Sequence, residues 1–230
     1  MQRISGWVIV LLLLALAGYL YHVAPNHVLI SMSDMQPHEA AERVAGLVKG
    51  DGPNFAASPF TSGQWWPDGA SVIANAAIAP DGTKTAYRLV ESAGSGFHRL
   101  GSTLTLSVGK GVRTLSLYVK AAERQKLQFE MADSPMAKYG VARFDLLNKT
   151  VVAEIGDVVD AGIQELPNGW YRCWAAMPYS NQTETFNFAL MDQTGQVRHQ
   201  GDKDDGLFIW GSQFEPGEEP GGYSERTATQ

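Results

Sequence analysis

The chain has 230 residues, 44% hydrophobic and 18% charged, with a formal net charge of -6. That balance belongs to a folded protein. Negative charge without a local Lys/Arg cluster excludes a general nucleic-acid binder, which needs a basic face to displace counterions from phosphates. A single cysteine excludes an intramolecular disulfide and a cysteine-rich zinc site.

The first element is an uncharged run from Ile4 to Val23, "ISGWVIVLLLLALAGYLYHV". About 20 such residues at a rise of about 1.5 Å span a hydrocarbon core of about 30 Å. Trp7 lies near one end and Tyr19 and Tyr21 near the other, where amphipathic rings favour the membrane interface. Arg3 precedes the run and the next basic residue is Arg43, so the charge asymmetry places the N-terminus in the cytoplasm and the rest outside. The expectation is a single-pass anchor over 1–25 in the cytoplasmic membrane, carrying a periplasmic or extracellular domain. The alternative is a cleaved signal peptide and a secreted domain, because Ala15-Leu16-Ala17 forms a small-x-small triplet. Residues 26–53 read as a juxtamembrane spacer. There Ser33 or Asp34 can cap a short helix over 37–49, with Ala40, Val44, Leu47 and Val48 on one face and Gly50 and Gly52 ending it.

From Asn54 to the C-terminus the period becomes two. Leu115, Leu117 and Val119 alternate with polar neighbours, as do Leu127, Phe129 and Met131, and then Phe186, Phe188 and Leu190. "GLFIWGSQFE" (206–215) carries large residues on both sides, as a central strand covered on both faces does. In that run Trp210 is expected to share a core face with Phe208 and Phe214. Pro80-Asp81-Gly82, Gly109-Lys110-Gly111, Pro167-Asn168-Gly169 and "GDKDDG" (201–206) supply turns. Many short strands without helical periodicity between them predict an all-β, antiparallel jelly-roll β-sandwich over 54–230, behind the anchor and the spacer.

Several stretches, in order, resemble a family of bacterial and phage jelly-roll domains similar to carbohydrate-binding modules and common in phage tail proteins. They are "SGQWWPDG" and "ANAAIAPDGTKTAYRLVE" (74–91), "FHRL" (97–100), "LSLYVKAAE" (115–123), "YGVARFDL" (139–146), "LPNGWYRCW" (166–174) and "DGLFIWGSQFEPGEEPGGYSERTAT" (205–229). The resemblance implies the sandwich fold and, by analogy, contact with a polysaccharide or glycan. Fold alone does not fix function. The chain departs from the family in being a lone module behind an apolar segment, and in the charge of its "GDKDDG" loop.

The candidate site residues come from "GWYRCWAAM". Strand alternation puts Tyr171, Cys173, Ala175 and Met177 on one face, which reads as core, with Cys173 a small buried hydrophobe. Trp170, Arg172 and Trp174 fall on the other. An arginine between two indoles can stack on either, and aromatic platforms beside a planar donor suit a sugar ring and its hydroxyls. Trp170 and Trp174 can instead plug a sheet edge or pack under a loop, with Arg172 covering them. Trp65 and Trp66 are adjacent, so they point to opposite faces and at most one joins any platform. His98, beside Arg99, is the remaining ligand-contact candidate; a lone histidine is also a common structural residue.

The five histidines lack H-x-H or H-x-x-x-H spacing, so the sequence signals no metal site. The acidic segments "GDKDDG" and "EPGEEPGG" leave room for a structural calcium without defining ligands, and no other cofactor is implied. "YVKAAERQ" superficially resembles a motif of jelly-roll alginate lyases, but their Gln-x-His context and Arg/Glu-rich strand are missing, as is a G-x-S-x-G elbow. The expected function is therefore a non-catalytic, membrane-anchored module contacting a polysaccharide or glycan. The alternative is a structural module docking on a protein partner of the envelope or of phage type. A carbohydrate-active enzyme ranks third.

Overall fold

The computed structural model describes residues 54–56, 59–106, 110–134, 136–180 and 183–224, all within the compact unit Gly46–Gln230. The expected anchor at Ile4–Val23 and the spacer helix at 37–49 lie outside the described residues. No helix among the described residues is long and apolar enough to cross a membrane.

Among the described residues fourteen strands run in chain order as β1 (Trp65–Asp68), β2 (Ala70–Ala77), β3 (Ala86–Glu91), β4 (Ser95–Phe97), β5 (Arg99–Thr105), β6 (Gly111–Lys120), β7 (Lys126–Asp133), β8 (Tyr139–Asp145), β9 (Thr150–Gly156), β10 (Asp160–Glu165), β11 (Trp170–Tyr179), β12 (Thr183–Met191), β13 (Arg198–Gln200) and β14 (Gly206–Pro216). One six-stranded sheet has the order β1-β5-β12-β7-β8-β9, the other β10-β11-β6-β14-β3-β2, and β13 pairs with β4 in a small ribbon. All pairings are antiparallel; β3 meets β14, β5 meets β12, β6 meets β11 and β7 meets β8. The first four strands of that series therefore pair with the last four in reverse order. A long hairpin rolled over two sheets gives this pattern, which is the eight-stranded jelly roll, here extended by edge strands.

The core follows the period-two reading. Leu115, Leu117 and Val119 of β6 pack between the sheets with Leu127, Phe129 and Met131 of β7 and Phe186, Phe188 and Leu190 of β12. Phe129 lies 4.9 Å from both Phe144 and Phe188, centroid to centroid, and Trp65 stacks on Phe188 at 5.8 Å. Trp66, its neighbour, faces the other way. Ahead of β11, Asn168 (φ 60°) and Gly169 (φ 76°) turn the chain through left-handed geometry, which asparagine tolerates better than most residues.

Strand β14 corrects one expectation. Its register against β6 slips between Trp210 and Gln213, where Gly211 takes φ 58°. The extra residue of this bulge reverses the side-chain alternation. Phe214 enters the core with Leu207 and Ile209, whereas Trp210, on the side of Phe208, packs outside the sheet on Tyr118 at 5.2 Å and Tyr223 at 4.6 Å. Trp210 is buried, but beneath an outer cover and not between the sheets.

Candidate functional site

Strand β11 divides as its alternation requires. Tyr171, Cys173, Ala175 and Met177 enter the core, and burial pushes the Cys173 thiol well above its ordinary pKa. Trp170, Arg172 and Trp174 share the outer face of the second sheet, and the segment 217–224 closes over much of it. Gly221 N–H donates to Glu215 at 3.0 Å, Gln213 Nε2 donates to the Gly222 carbonyl at 3.1 Å, and Ser224 N–H donates to Gln213 at 2.8 Å. The ring of Tyr223 covers Tyr118 and Trp210.

Under this cover Arg172 is 3% exposed. Its guanidinium donates to the Gly221 carbonyl and, at 3.0 Å, to Ser116 Oγ. It stacks on Tyr118, 5.1 Å from the ring centroid, and not on either indole. Trp170 is 1% exposed, and its Nε1–H donates to the Ile78 carbonyl at 3.1 Å. Only Trp174 stays half-buried, lying on Gly162 of β10, where an added Cβ would sit 2.5 Å from Nε1. The structure thus brings the trio onto one face but engages Trp170 and Arg172 in internal contacts, Arg172 beneath the 217–224 segment and over Tyr118, with neither indole under it. Trp170→Phe removes the donor to the Ile78 carbonyl and leaves a cavity where the larger indole stood. Its expected cost is about 2–3 kcal/mol in a urea unfolding titration, with the m-value unchanged.

His98 is also buried, at 1% exposure. Its Nδ1 lies 2.6 Å from the Gly69 carbonyl and its Nε2 3.2 Å from that of His199. The structure adds partners that spacing could not reveal. His199 Nε2 donates to Glu91 Oε1 at 2.8 Å, and Arg124 grips both oxygens of Glu91 at 2.6 and 2.7 Å. Burial opposes ionisation of Glu91, but Arg124, His199 and the Asp202 N–H together outweigh it and hold the carboxyl below its ordinary range. Ligand atoms of Glu91, His98 and His199 lie within 4.8 Å of one another, a donor set that suits a transition metal in principle. The residues do not fit that role here: the carboxylate is already neutralised by Arg124, and a cation would sit beside a guanidinium. The cluster is a structural knot joining β3, the β4–β13 ribbon and the "GDKDDG" loop. In that loop Asp205 pairs with Arg124 at 3.1 Å and Asp202 caps the Asp204 N–H.

The outer face of the first sheet is different. One row across it reads Trp66, Gly101, Asn187, Glu130, Val141. The next reads Asp68, Arg99, Ala189, Gln128, Arg143. The indole of Trp66, half-buried, lies against the backbone of Gly101. Arg99 is held by Asp68 at 3.0 Å and stacks on Phe97 at 4.2 Å. Arg143 Nε donates to Gln128 Oε1 at 2.8 Å. In the middle, Asn187 is 3% exposed and its Oδ1 finds no hydrogen-bond partner in the protein. Buried polar atoms are nearly always paired, so an orphan beside a partly exposed aromatic marks where a donor from outside belongs. Sequence reasoning separated the faces of Trp65 and Trp66 but missed Asn187, whose alternation matches any solvent-facing position.

No protein-family model matches the chain, and no curated protein matches it in sequence. Among solved structures it is similar to the enzymatically active domain of tailspike protein 4 of bacteriophage CBA120, with 13% identity and a TM-score of 0.39 over 71% of this chain and 21% of that one. It is also similar to a Cry1Da tryptic core variant of Bacillus thuringiensis, with 14% identity and a TM-score of 0.36 over 67% of this chain and 23% of that one. A third is TmCBM27, a carbohydrate-binding module described for specific mannan recognition, with 11% identity and a TM-score of 0.37 over 73% of this chain and 97% of the module.

Proposed function

We propose that the domain is a non-catalytic module that binds a polysaccharide or glycan on the outer face of its first sheet, and that the apolar run at Ile4–Val23 anchors it outside the cytoplasmic membrane. The observation that carries the binding reading is the orphaned Oδ1 of Asn187, whose strand neighbour Gly101 carries the half-buried indole of Trp66. A saccharide offers both complements: hydroxyl donors for the amide oxygen and an apolar C–H face for the ring. A binding role is further supported by the engagement of the reactive-looking groups, with Asp68 neutralised by Arg99 and the buried histidines locked into the Glu91 knot.

Affinity electrophoresis against hydroxyethylcellulose, xylan, mannan and amylose tests this directly. At least one polymer is expected to retard the protein, and Asn187→Ala to weaken that retention about tenfold, the equivalent of one well-placed hydrogen bond to a buried group. Unretarded migration in every gel would remove the reading.

A protein-docking role is favoured by a separate observation. Val152, Ile155 and Val159, at the outer edge formed by β9 and the turn to β10, are 52%, 47% and 53% exposed. Cross-linking that returns a reproducible protein partner through this edge, with no polymer retained, would support that role instead.

A further inference from the structure

Strand β12 forms the floor of the proposed face through Thr185, Asn187, Ala189 and Met191, a run of about 20 Å at a strand's rise, with Thr185 partly exposed and the other three buried at 3%, 1% and 2%. The register sets Glu130, Gln128 and Lys126 of β7 beside the last three of them, with Val141, Arg143 and Asp145 of β8 beyond. At the Met191 end the floor runs into a cavity of about 210 Å³. Its walls come from the β6–β7 connection, the turn after β8 and the segment after β12, and include Gln125, Lys126, Asp145, Leu147, Met191 and Gln193.

The charged side chains around this cavity are engaged from within. Lys126 lies 3.6 Å from Asp145 and donates to the Gln193 carbonyl at 3.2 Å. Asp145 also accepts the Asn148 N–H and side-chain amide, each at 3.0 Å. Arg124 is taken by Glu91 and Asp205, Glu123 pairs with Arg88 at 2.5 Å, and Asp192 accepts from Thr194 Oγ1 and the Gln196 N–H, each at 2.8 Å. What remains for a ligand is the pair of exposed side-chain amides of Gln125 and Gln193 and an apolar surface, with Leu147 67% exposed. Such a lining suits a neutral group rich in hydroxyls with apolar C–H faces, and its carboxylates disfavour an anion.

We infer that this cavity is a subsite for the terminal sugar of the chain lying on the β12 floor, so that the module reads glycan ends. The inference rests on the proposed glycan-binding face. It explains why the floor leads to a walled cavity, where a mid-chain binder needs a groove open at both ends.

The test takes the most strongly retained neutral polymer of the panel and compares it, at equal mass, with its own partial hydrolysate by isothermal titration calorimetry. End recognition predicts that sites per gram rise in proportion to chain ends, about tenfold for chains cut to a tenth of their length. Gln193→Trp, which fills the cavity from an exposed position, is expected to weaken binding of the hydrolysate tenfold or more. Gln125→Ala, which removes one amide and leaves the walls intact, is expected to weaken it about threefold, and decides the matter if the tryptophan variant misfolds. Sites per gram that ignore chain length, with both variants neutral while Asn187→Ala still weakens binding, would overturn the subsite and leave the face reading standing. Retention of no polymer at all would overturn both.

Discussion

Arg124→Ala is expected to destabilise the domain by about 3–5 kcal/mol, the cost of leaving a buried carboxylate without its cation. Glu91 is 2% exposed and accepts four hydrogen bonds, two of them from Arg124 at 2.6 and 2.7 Å. Removing the guanidinium leaves the Asp202 N–H and His199 to carry a charge that burial opposes. For a domain of this size, 1 kcal/mol moves the melting temperature by about 2–4 °C, so a fall of roughly 10 °C is expected at pH 7. The pH dependence follows from the sign of the Glu91 shift. Its folded pKa lies below the ordinary value of 4.5, so its contribution is full above that value and is lost as the pH falls through the folded pKa. Wild-type and variant melting curves should therefore separate at pH 7 and converge in acid. Glu91→Gln combined with Arg124→Met should recover part of the loss, because neither partner then leaves an unpaired charge. A shift under about 2 °C for Arg124→Ala would mean that the knot is not what ties the "GDKDDG" loop to the sandwich.

That knot also shows where sequence reading stops. Glu91, Arg124 and His199 are joined across 33 and 108 positions, and no local period relates them. The core strands were legible because their signal is local. Leu115, Leu117 and Val119 need only a covered face to be read as buried, and the same holds for Phe186, Phe188 and Leu190. The Trp65/Trp66 argument worked for the same reason, since adjacent residues of a strand oppose one another. Trp210 failed because Gly211 admits a bulge, and one inserted residue reverses every later side chain of β14. Arg172 looked available because "EPGEEPGGYS" has no periodicity to show that it folds back over it, and Trp170 because nothing local ties it to the distant Ile78 carbonyl. A segment that covers a face by backbone hydrogen bonds leaves little compositional trace.

The proposed binding face makes its sharpest prediction at a residue with no side chain. Gly101→Ala is expected to preserve the fold and to weaken glycan binding about 30-fold, or roughly 2 kcal/mol, the scale of removing a tryptophan anchor from an interface. Glycine inside a strand is locally unfavourable, and alanine there restricts the unfolded chain, so thermal stability should stay level or rise slightly. The obstacle is the indole. A Cβ at Gly101 would stand 2.2 Å from Cη2 and Cζ2 of Trp66 and 2.6 Å from Cε2. These atoms are the far end of a side chain, so the ring swings away and the strand keeps its place. The platform is lost while Trp66 remains. Trp66→Ala should weaken binding to the same degree, and the double substitution should add little, since both remove one interaction. Calorimetric titration of the retained polymer with the three variants, alongside thermal melts, measures all of this. If Gly101→Ala binds as wild type does, the indole lying on that glycine is packing for β5 and not a surface for sugar. The aromatic partner would then have to be sought at Trp174, whose ring lies on Gly162 in the same manner on the opposite sheet.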